Sequence, residues 1–397
     1  MSKVFVGVDV SKDFSTAQGI DKNGKKLFYL RFAMNAGGFS ELLKAMMKCS
    51  EDIKEIMAAM ESTGCYHINL FSFLSSEGIS CAVVNPLLIT NFGRLSLRKT
   101  KTDKKDAHTI AQFLLANEKA LSAMAFSQDT QDLKDLARER ESLTVLISGM
   151  KNDIKRLLQG TFPELEKLCS PYGETMLHFL KRFPSARMVQ AAKKKDIEKA
   201  LLCPEEKRKR VIVSADDIIS AAKTSVASSS AAKEIILSEK ISTLLYLQEK
   251  KERITAVLIE TCESMRIEEL EIIKSIDGVN DITGTSFLAE IGDIKNFSSY
   301  KHIIAFAGLD PSVHQSGHYE GRSTISKRGN RHLRRIIFIM TLCAVRSKNA
   351  FREYFLRRKQ EGLPPKKAIL ATAHKLIRVI FAMLSNKTLF RKGVAVE

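Results

Sequence analysis

VFVGVDVSKDFSTAQGIDKNGKKLFYLRFA, residues 4–33, decides the architecture of the N-terminal third. Residues 4–8 form a short apolar run that stops at Asp9 and Ser11-Lys12-Asp13. Segments 14–20 and 26–32 flank Asp21-Lys22-Asn23-Gly24, and an Asn-Gly pair between two such runs favours a tight hairpin turn. Three antiparallel strands in succession follow. Beyond Gly37-Gly38, residues 39–49 (FSELLKAMMKC) space their apolar side chains as a helix does. Residues 55–60 then read as a strand closing on Glu61, 66–76 as a helix, and 80–84 as a strand stopped by Asn85-Pro86. A last helix starts near Thr102. The order β-β-β-α-β-α-β-α predicts a mixed α/β sheet.

That order places chemistry. In open α/β sheets, ligands gather outside the carboxyl ends of the parallel strands. Asp9 ends the first strand and Glu61 the fourth, so both carboxylates emerge at one edge. Residues 99–108, KTKTDKKDAH, supply two more acids. Thr102 is placed to cap the helix, and Asp103 and Asp106, three apart, share a face of its first turn, where the helix dipole favours them. Lys99, Lys101, Lys104 and Lys105 ring the pair. Acids on one face among cations suit a divalent metal that must also meet a phosphate. Each acid alone reads equally well as a cap, a turn or solvated surface. Four aimed at one edge is the informative pattern.

With 397 residues and 44% of them hydrophobic, the chain is too long for a single core, and two or three domains are expected. Lys and Arg number 63 against 45 Asp and Glu, a net charge of +18 that points to a polyanionic partner. No stretch approaches 18 uninterrupted apolar residues, and MSKVFVGVDVSKD lacks the apolar core of a signal peptide. Nucleic acid rather than membrane is therefore the expected partner, and the cytoplasm of a bacterium or archaeon, with the nucleoid, the expected place. Seven cysteines (49, 65, 81, 169, 203, 262, 343) without a C-x-x-C argue against zinc and disulfides.

Residues 129–159 repeat Leu133, Leu136, Leu143, Leu146, Met150, Ile154 and Leu157 at near-heptad spacing. Residues 235–265 do the same with Ile241, Leu244, Leu245, Leu247, Ile254, Val257 and Leu258. These read as two arms of an antiparallel coiled coil, as a dimerisation stalk, or as helices packed on their own domain. Between them, 160–234 holds the basic run KRKR (207–210) and a small-residue helix over 215–232, neither with an assignable chemistry. Residues 275–291 have the form apolar, Gly turn, apolar helix, in which backbone N–H groups can meet a phosphate. Residues 305–335 pack Gly308, Gly317, Gly321 and Gly329 among hydroxyls, with Arg322, Lys327, Arg328, Arg331, Arg334 and Arg335 close behind. Glycines allow close backbone approach and cations line phosphates. Ser316, before Gly317, is the hydroxyl best placed for exposure on a Gly turn, with a phosphate contact or plain turn residue as the alternative. Helices are expected over 331–345, 349–359 and, after Pro364-Pro365, through His374 to 384, with His374 on the helix surface.

Taken together, Gly7-Val8-Asp9, Met60-Glu61-Ser62-Thr63-Gly64, Lys101-Thr102-Asp103-Lys104-Lys105-Asp106-Ala107, Gln315-Ser316-Gly317 and Ile325-Ser326-Lys327-Arg328-Gly329-Asn330 with Leu333-Arg334 resemble one family. It is the DEDD-motif insertion-sequence transposases, bridge-RNA-guided DNA recombinases; the resemblance spans roughly 3–115 and 270–350. It implies an α/β plus all-α chain: a RuvC-like (ribonuclease H-like) domain over 1–125, a helical coiled-coil linker over 126–268 and a C-terminal transposase domain over 269–397. It implies an acidic tetrad on Asp9, Glu61, Asp103 and Asp106 holding Mg²⁺, and a nucleophilic serine at Ser316. Strand cleavage and exchange through a covalent phosphoserine, a noncoding bridge RNA matching target and donor DNA, and a homo-oligomer (dimer or tetramer) are implied with them. Other classes stay open at this point. One is a RuvC-like nuclease acting by hydrolysis; another is a noncatalytic nucleic-acid-binding scaffold. An actin-like ATPase also starts strand–Asp–x–Ser, as Asp9-Val10-Ser11 does, but no second Gly-rich phosphate loop follows a later strand here.

Overall fold

In the computed structural model, residues 3–61, 66–84, 86–93, 103–118, 128–202, 213–228, 230–312, 315–316, 319–320 and 324–391 are described, with backbone only at 87, 91, 103–105, 128–129, 312, 315–316 and 319–320. The chain divides into two units, 1–131 and 132–397.

In the first unit, β1 (Val4–Asp9), β2 (Phe14–Asp21) and β3 (Lys26–Ala33) pair antiparallel, as the apolar runs predict. The β2–β3 turn is set by the Asp21 carboxylate, which accepts from the N–H groups of Asn23 and Lys25, and by Gly24 at φ +78°. β4 (Ile56–Glu61) lies parallel to β1, and β5 (Ser80–Val84) parallel to β4, giving the order β3-β2-β1-β4-β5. Side-chain alternation splits the sheet into two faces. Val4, Val6 and Val8 join Leu42 and Met46 of α1 (Ala36–Met47) and Leu70 and Leu74 of α2 (His67–Ser76). Phe5, Met57 and Ala59 join Ile89 of α3 (Pro86–Gly93) and Ile110 and Leu114 of α4 (Asp103–Ala116).

Two details depart from the sequence expectation. α1 starts before Gly37-Gly38, because Asn35 caps it by accepting from the Gly38 N–H. A Cβ on Gly38 would come within 2.1 Å of the Ala33 carbonyl, so this early start needs a glycine. The strand over 80–84 stops before Asn85-Pro86 as expected, and Pro86 also opens α3, which the sequence reading did not include, since the first helical turn needs no N–H from it.

The second unit is built on α5 (Gln128–Thr161) and α11 (Ala231–Lys274). Arg140 meets Thr255 at 3.0 Å, Glu139 meets Lys250 at 3.2 Å and Asp153 meets Lys240 at 2.5 Å, so the two helices run antiparallel. Ile147, Ile154 and Leu158 of α5 and Leu237, Ile241 and Leu244 of α11 share one core with α6 (Leu165–Leu168), α7 (Glu174–Arg182), α8 (Ala186–Ala191), α9 (Lys194–Leu201) and α10 (Ala215–Lys223). A second core joins Leu133 and Ala137 of α5 and Leu258 and Leu270 of α11 to α12 (Asp281–Ile291), α13 (Tyr300–Phe306), α14 (Arg331–Ala344), α15 (Ala350–Gln360) and α16 (Pro365–Asn386).

The helix expected over 215–232 is broken. α10 stops at Lys223, the Ser225 hydroxyl and Val226 N–H both bind the Glu164 carboxylate, and Ser230 recaps the chain into α11. Serine hydroxyls compete for backbone groups, and that run tips the balance towards a cap. The KRKR run lies outside the described residues. α16 is long and apolar enough by composition to cross a membrane, but Ala373, Leu376, Ile377, Ile380 and Leu384 are buried in the second core.

Candidate active site

Val8 pairs with Met60 in the parallel β1–β4 ladder, so Asp9 and Glu61 are the next residues of neighbouring strands, spaced by about 4.8 Å. By alternation with Phe5, Met57 and Ala59 they belong to the α4 face. Both are half-buried. α4 crosses that face antiparallel to β1: Lys3, just before β1, pairs at 2.6 Å with Glu118, just beyond α4, while Gly7 sits against Ala107 and Ala111. A Cβ on Gly7 would lie 2.2 Å from both the Ala107 carbonyl oxygen and the Ala111 nitrogen, so helix and strand touch backbone to backbone there. A strand advances about 3.3 Å per residue and a helix about 1.5 Å. The two steps from Gly7 to Asp9 therefore match between four and five helical residues, which brings Asp9 level with the turn bearing Asp103 and Asp106.

The donors at this edge are carboxylates, the chemistry a hard divalent cation requires. Among the described residues no three Asp, Glu, His or Cys side chains gather into a ready cage, and Asp103 is described by its backbone alone. Lys99 and Lys101 lie outside the described residues; Lys104 and Lys105 are placed on α4 by backbone only. His67 and His108 both have their imidazole pKa lowered by burial, and the Lys26 charge adds to this at His108.

In the second unit, β6 (Pro311–Ser312) pairs with β9 (Thr324–Ile325), and β7 (Gln315–Ser316) with β8 (Tyr319–Glu320). Ser316 opposes Tyr319, leaving only Gly317 and His318 to join the two strands. Ser316 thus occupies the last paired position of a hairpin arm. Below that hairpin, Ser326 donates its N–H to the Asp310 carbonyl at 2.8 Å and its hydroxyl to the Asp310 carboxylate at 2.7 Å. Gly308 at φ +63° and Gly329 at φ +145° let the two chain segments close, for a Cβ on Gly329 would stand 2.4 Å from the Phe306 carbonyl. His374, expected on the helix surface, is half-buried, and its Nε2 donates to the Leu309 carbonyl at 3.1 Å.

The basic segment is divided. Lys327, Arg328 and Arg331 are exposed. Arg334 donates to the Ala307 carbonyl at 2.7 Å, and Arg335 pairs with Glu141 at 2.7 Å, so these two are engaged inside the unit. Arg322 lies outside the described residues.

Sequence reasoning missed Glu290. It is 2% exposed on α12, and accepts from Arg138 Nε and Nη2 at 2.8 and 3.0 Å and from Asn330 Nδ2 at 2.7 Å. Burial alone would raise its carboxyl pKa, but the Arg138 guanidinium and the Asn330 amide outweigh it and hold the group below the usual carboxylate range. Asn330 in turn caps α14 by accepting from the N–H groups of His332 and Leu333. The available signal was the one acid in the apolar run from Thr283 to Ile291 of α12, all of whose residues are buried.

The first unit is thus a mixed sheet whose parallel strands β1 and β4 end on Asp9 and Glu61, and the second is a mainly helical unit with a short hairpin at Ser316. A transposase model of the DEDD IS110 type matches residues 6–163, and the model of the transposase IS116/IS110/IS902 family matches residues 270–356. The chain belongs to this family of insertion-sequence transposases. It is 26% identical to the transposase for insertion sequence element IS1111A of Coxiella burnetii, covering 98% of this chain and 91% of that one. It is 25% identical to an insertion element IS110 protein of Streptomyces coelicolor (98% and 95% covered) and 24% identical to the pilin gene-inverting protein of Moraxella bovis (99% of both). The chain is thus an enzyme of DNA rearrangement, and DNA is its partner.

Proposed function

We propose that the chain moves its element by cutting and exchanging DNA strands through a covalent phosphoserine at Ser316, guided by a structured noncoding RNA that pairs with target and donor DNA. The observation that carries this reading is the antiparallel crossing of α4 over β1 at Gly7, which supports a common edge for the ends of β1 and β4 and the N-terminal part of α4. Asp9, Glu61, Asp103 and Asp106 are the residues that would hold Mg²⁺ there. Bound at that edge, the ion supplies positive charge to the scissile phosphate oxygens. The Ser316 hydroxyl loses its proton and attacks phosphorus; a Ser316 Oγ–P bond forms, the bond from phosphorus to one deoxyribose oxygen breaks, and that oxygen leaves with a proton. The phosphoester count is conserved, so a hydroxyl of the partner strand reverses the step and rejoins DNA without ATP. Lys327, Arg328 and Arg331 offset the charge on phosphorus and position the backbone. The protein works as a homodimer or tetramer, with the long antiparallel helices as its stalk.

The test is the Ser316→Ala protein. Wild type, quenched in detergent while acting on DNA carrying the element's own junctions together with RNA transcribed from its flanks, retains a covalent DNA adduct. Ser316→Ala binds the same DNA, forms no adduct and exchanges no strands. Normal exchange by Ser316→Ala, with no adduct on any serine or threonine, refutes the covalent route and leaves hydrolysis; equal rates with and without the RNA refute guidance.

A further inference from the structure

A carboxylate as deeply buried as Glu290 is seldom kept for stability, since a buried ion pair contributes little beyond what apolar packing of the same volume would. Its geometry is specific. Arg138 approaches with both prongs of its fork, the arrangement that fixes orientation as well as distance. The remaining acceptor capacity goes to Asn330, the residue that ends the Lys327-Arg328-Gly329 turn and caps α14. One turn along α5, Glu141 takes His332 at 2.7 Å and Arg335 at 2.7 Å. Arg138 and Glu141, three apart on one helix face, thus grip the start of α14 twice, and Glu290 is the bridge for the first grip. The backbone leading into these anchors is under constraint, with Lys327 at φ +52° and Gly329 at φ +145°. The three exposed cations Lys327, Arg328 and Arg331 are carried on this short tethered stretch.

We propose that Glu290 is a positioning residue for DNA rearrangement: it locks the Asn330 turn to helix α5, so that Lys327, Arg328 and Arg331 present a fixed constellation to the DNA phosphates. This rests on the reading that those cations meet DNA. A tether acts on geometry and leaves the number of cations unchanged. Removing it should lower the rate of rearrangement and leave the electrostatic part of binding alone, because the salt dependence of binding follows the number of phosphates neutralised.

Two variants test this. Glu290→Gln keeps the volume but turns one acceptor into a donor, which faces Arg138 Nε in one orientation and both Arg138 Nη2 and Asn330 Nδ2 in the other, so the bridge loses at least one bond. Asn330→Ser keeps a good cap for α14 but removes the amide that binds Glu290. The full-length proteins are compared by thermal melting, by salt-dependent binding to a 30-base-pair duplex of unrelated sequence, by amide hydrogen exchange over 324–345, and by transposition from a plasmid bearing the element with its own flanks. Both variants should fold, keep the wild-type salt slope, exchange faster over 326–335 and transpose at least about tenfold less, in keeping with the cost of small misplacements at a reacting site. Arg138→Ala combined with Glu290→Gln should lose no more than the worse single change, because both act through one bridge. A folded Glu290→Gln or Asn330→Ser protein transposing within twofold of wild type overturns the proposal, and so does unchanged exchange over 326–335. If Glu290→Gln does not fold, Asn330→Ser decides alone. A wild-type protein that rearranges no DNA would sink the functional reading instead, while the exchange comparison still tells whether Glu290 holds the turn.

Discussion

Gly7→Ala attacks the contact on which the acidic edge depends. The added Cβ would stand 2.2 Å from two backbone atoms of α4, at least 0.8 Å short of the 3.0 Å below which real Cβ contacts are essentially never found. No side-chain rotation relieves a clash with backbone, so α4 and β1 must part by about that distance. Overpacking of this kind costs about 2–3 kcal/mol. For a unit of this size that corresponds to a fall of about 6–15 °C in the melting temperature. The helix that moves is the one carrying Asp103 and Asp106, and a shift near 1 Å between catalytic groups lowers rates by about 100-fold. Melting of the purified protein and transposition from an element-bearing plasmid, both read well below the new melting temperature, measure the two effects. Gly19→Ala on β2 is the control: the atoms nearest its Cβ would be those of the partly exposed Phe28 ring, a side chain that can swing aside at a cost of about 1 kcal/mol. A Gly7→Ala protein that melts and transposes like wild type would mean that α4 does not rest on β1 at this point, and the placement of the acids would fall with it.

Asp9→Asn, Glu61→Gln, Asp103→Asn and Asp106→Asn should each abolish transposition in a folded, DNA-binding protein, and EDTA should do the same to wild type; normal activity in any two of them would remove the tetrad. Duplex binding should weaken steeply between low and physiological salt, and a flat titration by fluorescence anisotropy would rule out a phosphate-dominated surface. Glu290 has a folded pKa below the ordinary carboxylate value of 4.5, so its contribution to stability is complete above that pH and is lost as the pH falls below it towards the folded value. Calorimetry from about pH 6 down to about pH 3.5 should therefore show a shallower acid loss for Glu290→Gln than for wild type; parallel curves would mean that the Glu290 carboxyl has the same pKa folded and unfolded, and that the Arg138 and Asn330 contacts do not favour its charge.

What the sequence made legible, and what it hid, follows from the range of each force. Strand alternation and the Asn23-Gly24 turn are local, and β1, β2, β3 and β5 fall within a residue of where the apolar pattern puts them. A helix carrying Asp103 and Asp106 was legible for the same reason and is found as α4, while Thr102, read as its cap, lies outside the described residues. Gly7 was quoted as part of a motif, but nothing in GVD says that its missing side chain admits a helix about a hundred residues further along the chain. Pro86 was read correctly as ending a strand, but the helix it opens was not read, because a proline that only ends a strand and one that also starts a helix look alike until the following residues pack, as Ile89 does against the sheet. Arg334 and Arg335 looked like phosphate ligands because charge in a sequence carries no record of internal partners; Ala307 and Glu141, which engage them, are 27 and 194 residues away. Glu290 carries this furthest. The surrounding TGTSFLAEI pattern marks a buried helix, and a charge inside it demands a partner under any reading. That demand can be written from the sequence. Its answer, a guanidinium from α5 and an amide from the turn before α14, exists only when three distant segments have already folded together.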